Sequence, residues 1–361
     1  MLSVSKQRAC PCGARVALIG VGSIAARYVS SLRQAPGFDV VSVCSRNPSS
    51  SGRFAKEHGL LATTLESILA DPEIDYILNL TPAEEHAAIT AACLQAGKSV
   101  YSEKPLAFTL SEADALIELA DHRGLLLACA PATFLWPTLA AARRLVKEGR
   151  LGSVVGALST LVYQGPEIFH PNPAHLYSAS AGPLRDMGVY QVTALMALLG
   201  PVTRVSAFSS RSLTQRIVMV GPDAGENFPV NSDTHFQAHL LHANGAISSM
   251  IVGFDGISAD SPMFNLLGRE AGLSIENAHS PDGKILVKSK GRHEEVITAD
   301  PDWHDSDWAV GPISAWNACQ TGQPIETNAR RARAVLEILI ALENAAASCS
   351  VISITPSKAW A

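Results

Sequence analysis

One turn constrains this chain more than any other feature. Val16–Gly20 is an unbroken apolar run, followed by Gly20-Val21-Gly22-Ser23-Ile24-Ala25 and then by Ile24, Tyr28 and Leu32 at helical spacing. A short run with no polar face reads as a strand of a parallel sheet covered on both sides. The corner that follows is a strand-to-helix turn. In such a turn Gly20 makes the tight bend, Gly22 lets backbone approach a ligand, and Ala25 lets the helix pack close to the sheet. The backbone at Gly22, Ser23 and Ile24 then opens a helix N-terminus, which suits a pyrophosphate. The alternative is a plain corner with no ligand. The binding reading gains its weight from position, at the first strand of an alternating region.

That alternation runs through the first 130 residues. Strand signals at Asp39–Cys44, Asp75–Leu80, Ser99–Glu103 and Leu125–Ala130 are separated by helical stretches near Phe54–His58, Glu84–Ala96 and from a Ser111 cap to Arg123. Such an order predicts a doubly wound α/β domain. The second half changes character. Helical stretches are expected near Pro137–Gly149, Leu184–Leu199, Pro312–Thr321 and Ala329–Ala347, and strands at Ser153–Tyr163, Arg204–Ser209, His235–His242, Ala246–Phe254, Met263–Gly268 and Lys284–Lys288. Asn244-Gly245 between two of these runs is a strong hairpin signal. The expected organisation is a Rossmann domain over 1–132 and an α+β domain over 133–361 with an open, mostly antiparallel sheet.

The end of the second strand bears on which dinucleotide fits. An acid about 20 residues beyond the glycines would bond a ribose 2′-hydroxyl. Here the strand ends in Cys44-Ser45-Arg46. A hydroxyl and a guanidinium suit a 2′-phosphate, and no carboxylate at that position repels it. NADP(H) is favoured and NAD(H) remains possible; the competing reading makes Arg46 a solvated loop residue.

Composition excludes several classes. The chain has 361 residues, 47% hydrophobic and 17% charged, with net charge −5. Nothing in that balance favours nucleic acid or an anionic membrane surface, and no apolar run approaches the roughly 18 residues of a membrane span. The seven cysteines are odd in number and scattered, which argues against a disulfide framework and for a reducing cytoplasm. Cys10-Pro11-Cys12 lacks the usual zinc spacing, so no metal is expected.

Two further stretches, Tyr101-Ser102-Glu103-Lys104-Pro105 and Ala181–Pro201, join the opening turn and Thr81-Pro82-Ala83-Glu84-Glu85-His86. With these four motifs in order, the chain resembles the glucose–fructose oxidoreductase/inositol dehydrogenase/rhizopine catabolism (Gfo/Idh/MocA) family. The resemblance implies a nicotinamide cofactor lined also by Thr81, Pro82, His86, Glu103 and Lys104. It implies hydride transfer at a secondary alcohol or ketone of a sugar, cyclitol or related compound, with Lys104 between nicotinamide and substrate. Such a lysine stabilises negative charge developing on the reacting oxygen. The family's usual Asp-x-Gly-x-His-x-x-Asp reads here Asp186-x-Gly188-x-Tyr190-x-x-Thr193. Asp186 and Tyr190, four apart, share a face of a helix. Tyr190 then replaces the histidine as proton donor or acceptor, or simply packs in the core. A free tyrosine has a pKa of about 10, so action as a base needs a nearby cation such as Lys104.

The stretch Phe169–Asp186 resembles a His-Pro-Asn-Pro loop of one subgroup, where the position of Ala132 is often an aspartate. His170 and His175 either contact substrate or are structural. Arg185 either binds an anionic substituent or makes a helix-surface salt bridge. Two other functional classes stay open: a non-catalytic nucleotide-sensing regulator, and an imine, dihydrodiol or bilin reductase on the same fold. The regulator leaves Lys104 without a purpose. A homodimer or homotetramer is expected, with alternating apolar positions in Phe236–Leu240 and Ile247–Ile251 as candidates for its interface.

Overall fold

The structure, a computed structural model, describes residues 13–257, 262–278, 283–291, 293–298 and 308–360. Cys10 and Cys12 lie outside the described residues. The chain divides into two compact units: of the described residues, 13–130 and 308–332 form the first and the remainder the second.

The first unit opens with β1 (Ala14–Ile19), α1 (Ala25–Gln34), β2 (Phe38–Cys44), α2 (Pro48–His58), β3 (Leu61–Ala62) and α3 (Leu65–Ala70). It continues with β4 (Tyr76–Asn79), α4 (His86–Gln95), β5 (Ser99–Ser102), α5 (Leu110–Arg123) and β6 (Leu127–Cys129). All six strands are parallel, in the order β3-β2-β1-β4-β5-β6. Reversal of strand order between β1 and β4 is the topological switch point of a doubly wound sheet, and it puts the ligand crevice at the strands' carboxyl ends. Val16, Leu18, Tyr76 and Leu78 are buried with Tyr28, Val29 and Leu32 of α1 in one core. The cap of α5 differs from the Ser111 expectation. Thr109 accepts from the Glu112 N–H, and Glu112 accepts from the Thr109 N–H at 3.0 Å. This reciprocal box satisfies two helix-end donors and starts the helix earlier.

The chain continues with α6 (Pro137–Lys147), β7 (Val154–Val162), α7 (Val189–Leu199) and β8 (Val202–Ser210). A small ribbon of β9 (Gln215–Ile217) and β10 (Asn227–Pro229) follows, then β11 (His235–His242), β12 (Ile247–Gly253), β13 (Phe264–Gly268), β14 (Ala271–Ile275), β15 (Lys284–Ser289) and β16 (Glu294–Thr298). Helices α8 (Val310–Thr321) and α9 (Ala329–Ser348) and strand β17 (Ile352–Ser353) complete the chain. Among the described residues the second sheet has nine strands, ordered β16-β15-β14-β13-β7-β12-β11-β8-β17, of which only the β7–β12 pair is parallel. Its core joins α6, α7 and α9 to one sheet face through Leu145, Leu195, Leu240, Leu266 and Leu342.

Two expectations are corrected. Residues 308–332 belong to the first unit, not to a continuous domain over 133–361. There Tyr76 stacks on Trp316 at 5.0 Å and donates to the Pro312 carbonyl at 3.2 Å. On β11, Phe236, Ala238 and Leu240 face the helices and are buried. The open face instead carries Gln237, in a row with Phe208 and Ile251, and His239, in a row with Ser249 and Leu158; Ile247 lies on the same face, paired with Leu241.

Candidate active site

In the first unit the carboxyl ends of β2, β1, β4 and β5 deliver Ser45, Gly20, Thr81 and Glu103 in succession. Gly20 has φ +105°, and a Cβ there would lie 2.4 Å from the Leu80 carbonyl oxygen, so no other residue fits. A Cβ at Gly22 meets nothing within 4 Å. Open space thus stands over the start of α1, which has no side-chain cap and no acid in its first turn. A bare helix N-terminus behind an open glycine turn fits a pyrophosphate. Gly20, Gly22, Ser23 and Ile24 together form this turn and the start of α1.

Beyond the carboxyl end of β2, Ser45 donates to the Asn47 carbonyl at 2.8 Å, and Asn47 caps α2 by accepting from the Ser49 N–H at 3.0 Å. Arg46 is exposed, with its guanidinium 3.9 Å from the Glu85 carboxylate.

The Thr81–His86 segment is tied to the Lys104 loop from within. Asn79 is fully buried. Its Nδ2 donates to His86 O and Thr90 Oγ1, and its Oδ1 accepts from the Thr81 hydroxyl at 2.7 Å. His86 is also buried, with Nδ1 2.7 Å from Pro105 O and Nε2 2.8 Å from Thr81 O. Its ring links two backbone segments, which makes it a positioning residue of this crevice. Glu103 accepts from the Tyr28 hydroxyl at 2.6 Å and from the Lys104 N–H at 3.1 Å. Helix α1 and the Lys104 turn are therefore joined through one carboxylate. The Lys104–Pro105 peptide is cis.

In the second unit Asp186 lies in a five-residue π-helical turn, Leu184–Gly188, that runs into α7, whose second residue is Tyr190. Wide turns of this kind often occur at functional sites. Thr193, where the family has an acid, is buried and donates to Val189 O at 2.7 Å. Arg185 makes a two-pronged ion pair with Glu343 of α9, both contacts at 2.6 Å. Of the two readings for Arg185, the structure contains the salt bridge.

His170 and His175 face each other with ring centroids 5.2 Å apart. Nδ1 of His170 accepts from the Asn172 N–H at 3.1 Å, and Nδ1 of His175 lies 2.9 Å from Asn172 O. Burial, with His175 beside it, holds the His170 imidazole below its ordinary value, while the Asp186 carboxylate acts in the opposite sense. Burial and the Asp186 and Glu167 carboxylates push the Tyr163 phenol upward. Tyr163, His170 and Asp186 thus share one electrostatic environment. The sequence marks neither Tyr163 nor Phe169 as a site candidate; Phe169 is 62% exposed and stacks on Tyr163 at 6.1 Å. The available signal was position: Tyr163 ends a strand and opens the loop that carries both histidines.

A buried ionic network anchors that loop. Arg216 of β9 pairs with Glu167 and Asp255 and donates to Gln164 O and Phe254 O, both at 2.9 Å. Tyr177 donates to Glu167, and Thr234 to Asp255. Among the described residues no group of three or more His, Cys, Asp or Glu side chains could hold a metal ion.

Comparison with known proteins agrees with this geometry. Residues 14–130 match the model of an oxidoreductase family with an NAD-binding Rossmann fold, and 139–274 match the GFO/IDH/MocA C-terminal domain. The chain is 29% identical over 227 residues to 1,5-anhydro-D-fructose reductase of Ensifer adhaerens, covering 59% of this chain and 66% of that one. It is 27% identical over 190 residues to trans-1,2-dihydrobenzene-1,2-diol dehydrogenase of Bos taurus, covering 52% and 56%. Each match spans less than two thirds of the relative's length. Levoglucosan dehydrogenase solved with NADH superposes with a TM-score of 0.84 at 20% identity, covering 95% of this chain and 99% of the other. With both of its domains matched in order, the chain belongs to the Gfo/Idh/MocA oxidoreductase family.

Proposed function

We propose that the protein is an NADP(H)-dependent oxidoreductase acting at a secondary alcohol or ketone of a sugar, cyclitol or related small molecule. The observation that carries this reading is the glycine turn with its uncapped helix, joined through Tyr28 and Glu103 to the turn presenting Lys104. Gly20, Gly22, Ser23 and Ile24 hold the pyrophosphate. Ser45 and Arg46 receive the 2′-phosphate. Thr81, Pro82 and Glu103 border the nicotinamide half, and His86 keeps that border in place. The bound nicotinamide supplies or accepts the hydride.

The protein's own residues handle orientation and the proton. Lys104 bonds the reacting oxygen and stabilises its negative charge. In oxidation Tyr190 takes the hydroxyl proton as the carbon loses hydride; in reduction it returns that proton to the carbonyl oxygen. Asp186 orients the substrate, and His170 and His175 bond neighbouring hydroxyls. A neutral His170 is the alternative relay, because burial disfavours its charged form. With Arg185 engaged by Glu343, an uncharged substrate suits this segment better than an anionic one.

Similarity to the dihydrodiol dehydrogenase, together with the Tyr163–Phe169 stack, supports a second reading in which a cyclic diol on an apolar ring is the substrate. Turnover of sugars, anhydrosugars and dihydrodiols, followed at the nicotinamide absorbance band with both cofactors, tests the proposal. Preference for NADP(H) and a carbohydrate-like compound is expected. Turnover of dihydrodiols alone would favour the second reading, and tight cofactor binding with no turnover would favour a sensor.

A further inference from the structure

The end of β2 carries no acid, yet the structure brings one to it from another strand. Glu85 precedes α4, beyond the carboxyl end of β4, and its Oε1 stands 3.9 Å from the Arg46 guanidinium. In the sheet, β2 and β4 flank β1 on opposite sides. With strands about 4.8 Å apart, their ends are separated by about 10 Å, with the Gly20–Gly22 turn between them. The Arg46–Glu85 pair thus spans the sheet ends where the adenosine half of a dinucleotide runs from β1 toward β2.

We propose that Glu85 is a specificity-determining residue that offsets the preference for a 2′-phosphate conferred by Ser45 and Arg46, keeping NAD(H) usable. This rests on the reading that Arg46 receives that phosphate. Two effects would act together. Glu85 would compete with the phosphate for the guanidinium, and its carboxylate would repel the phosphate's negative charge. A 2′-hydroxyl carries no charge and meets neither penalty. Both side chains are exposed, at 89% for Arg46 and 48% for Glu85. The pair is therefore weak and opens readily, and its effect is graded and salt-dependent.

The test is a set of dissociation constants for NADP+ and NAD+, measured by calorimetry on the wild type, Glu85→Gln, Arg46→Ala and the double variant at low and high salt. Glu85→Gln is expected to tighten NADP+ by about three- to tenfold at low salt, with NAD+ unchanged within about twofold. The gain should shrink at high salt and in the Arg46→Ala background. An unchanged or weaker NADP+ constant in Glu85→Gln, while Arg46→Ala still loses NADP+ affinity, overturns the role of Glu85 alone. An Arg46→Ala variant that binds NADP+ as tightly as the wild type overturns the underlying Arg46 reading, and this inference with it.

Discussion

Lys104 and Tyr190 divide the expected chemistry between charge stabilisation and proton transfer. Tyr190→Phe keeps the ring and its packing but removes the proton, so turnover should fall by about 10²–10⁴-fold while NADP(H) affinity stays nearly constant. Steady-state rates and a cofactor titration on the same protein check this. Lys104→Ala should lose at least as much. If Tyr190→Phe keeps near-normal turnover, the relay passes to His170 or His175. His86 calls for a different outcome. Its ring nitrogens lie against the Thr81 and Pro105 carbonyl oxygens in a buried position, so His86→Ala removes the ring's hydrogen bonding there, at a cost of about 1–3 kcal/mol. Lower thermal stability and weaker cofactor binding should appear together. At this scale the sequence was informative where a residue type is forced. Gly20 is dictated by its φ of +105° and a carbonyl 2.4 Å from its missing Cβ, whereas at Gly22 a Cβ would meet nothing within 4 Å and the protein itself does not demand glycine. The sequence was uninformative where partners are far apart in the chain. Nothing near Arg185 announces Glu343, and nothing near Arg46 announces that Glu85 will stand opposite.

The loop over 164–177 is held by charge rather than by regular structure. Arg216 stands between Glu167 and Asp255 with little exposure. Arg216→Met leaves two buried carboxylates without their cation, and denaturant unfolding should show a loss of about 3–5 kcal/mol. The same network gives the protein an acid limit. Burial alone would raise the Asp255 carboxyl, but hydrogen bonds from Thr234 and Ser212 and the Arg216 charge hold it below its ordinary 3.8. A carboxyl lowered in the folded state stabilises fully above its unfolded pKa, and that stability is lost as pH falls through the folded value. Melting temperature should therefore drop below about pH 4, and Asp255→Asn should flatten that dependence. Most strands of both sheets were legible because their alternation or unbroken apolarity is local, but β3, β14, β16 and β17, only two to five residues long, were not. The π-helical turn at Leu184–Gly188 was not, since one extra residue per turn leaves the apolar pattern of α7 readable as an ordinary helix. The Thr109 cap was missed because Ser111 two residues later offers the same chemistry.

For the whole molecule, sequence order misassigned residues 308–332, because apolar periodicity shows that a helix is buried but not against which sheet. Trp316 and Ala309 answer that by joining the first core. The open face of the second sheet carries Leu158, Phe208, Ile247 and Leu267, exposed by 47–73%. An apolar sheet face of this kind marks an interface, and a closed homo-oligomer is expected. Light scattering at micromolar concentration should give a dimer or tetramer, and Phe208→Asp with Leu158→Asp should shift it toward monomer. A wild-type monomer would count against this. Hydride transfer that depends on Lys104 is tested by single-turnover absorbance of enzyme-bound NADPH mixed with a panel of ketoses, anhydroketoses and cyclic ketones. The nicotinamide band should be lost with at least one of them in the wild type, and at least a hundredfold more slowly in Lys104→Ala with cofactor still bound. Equal rates in the two proteins would show that Lys104 has no part in the hydride transfer.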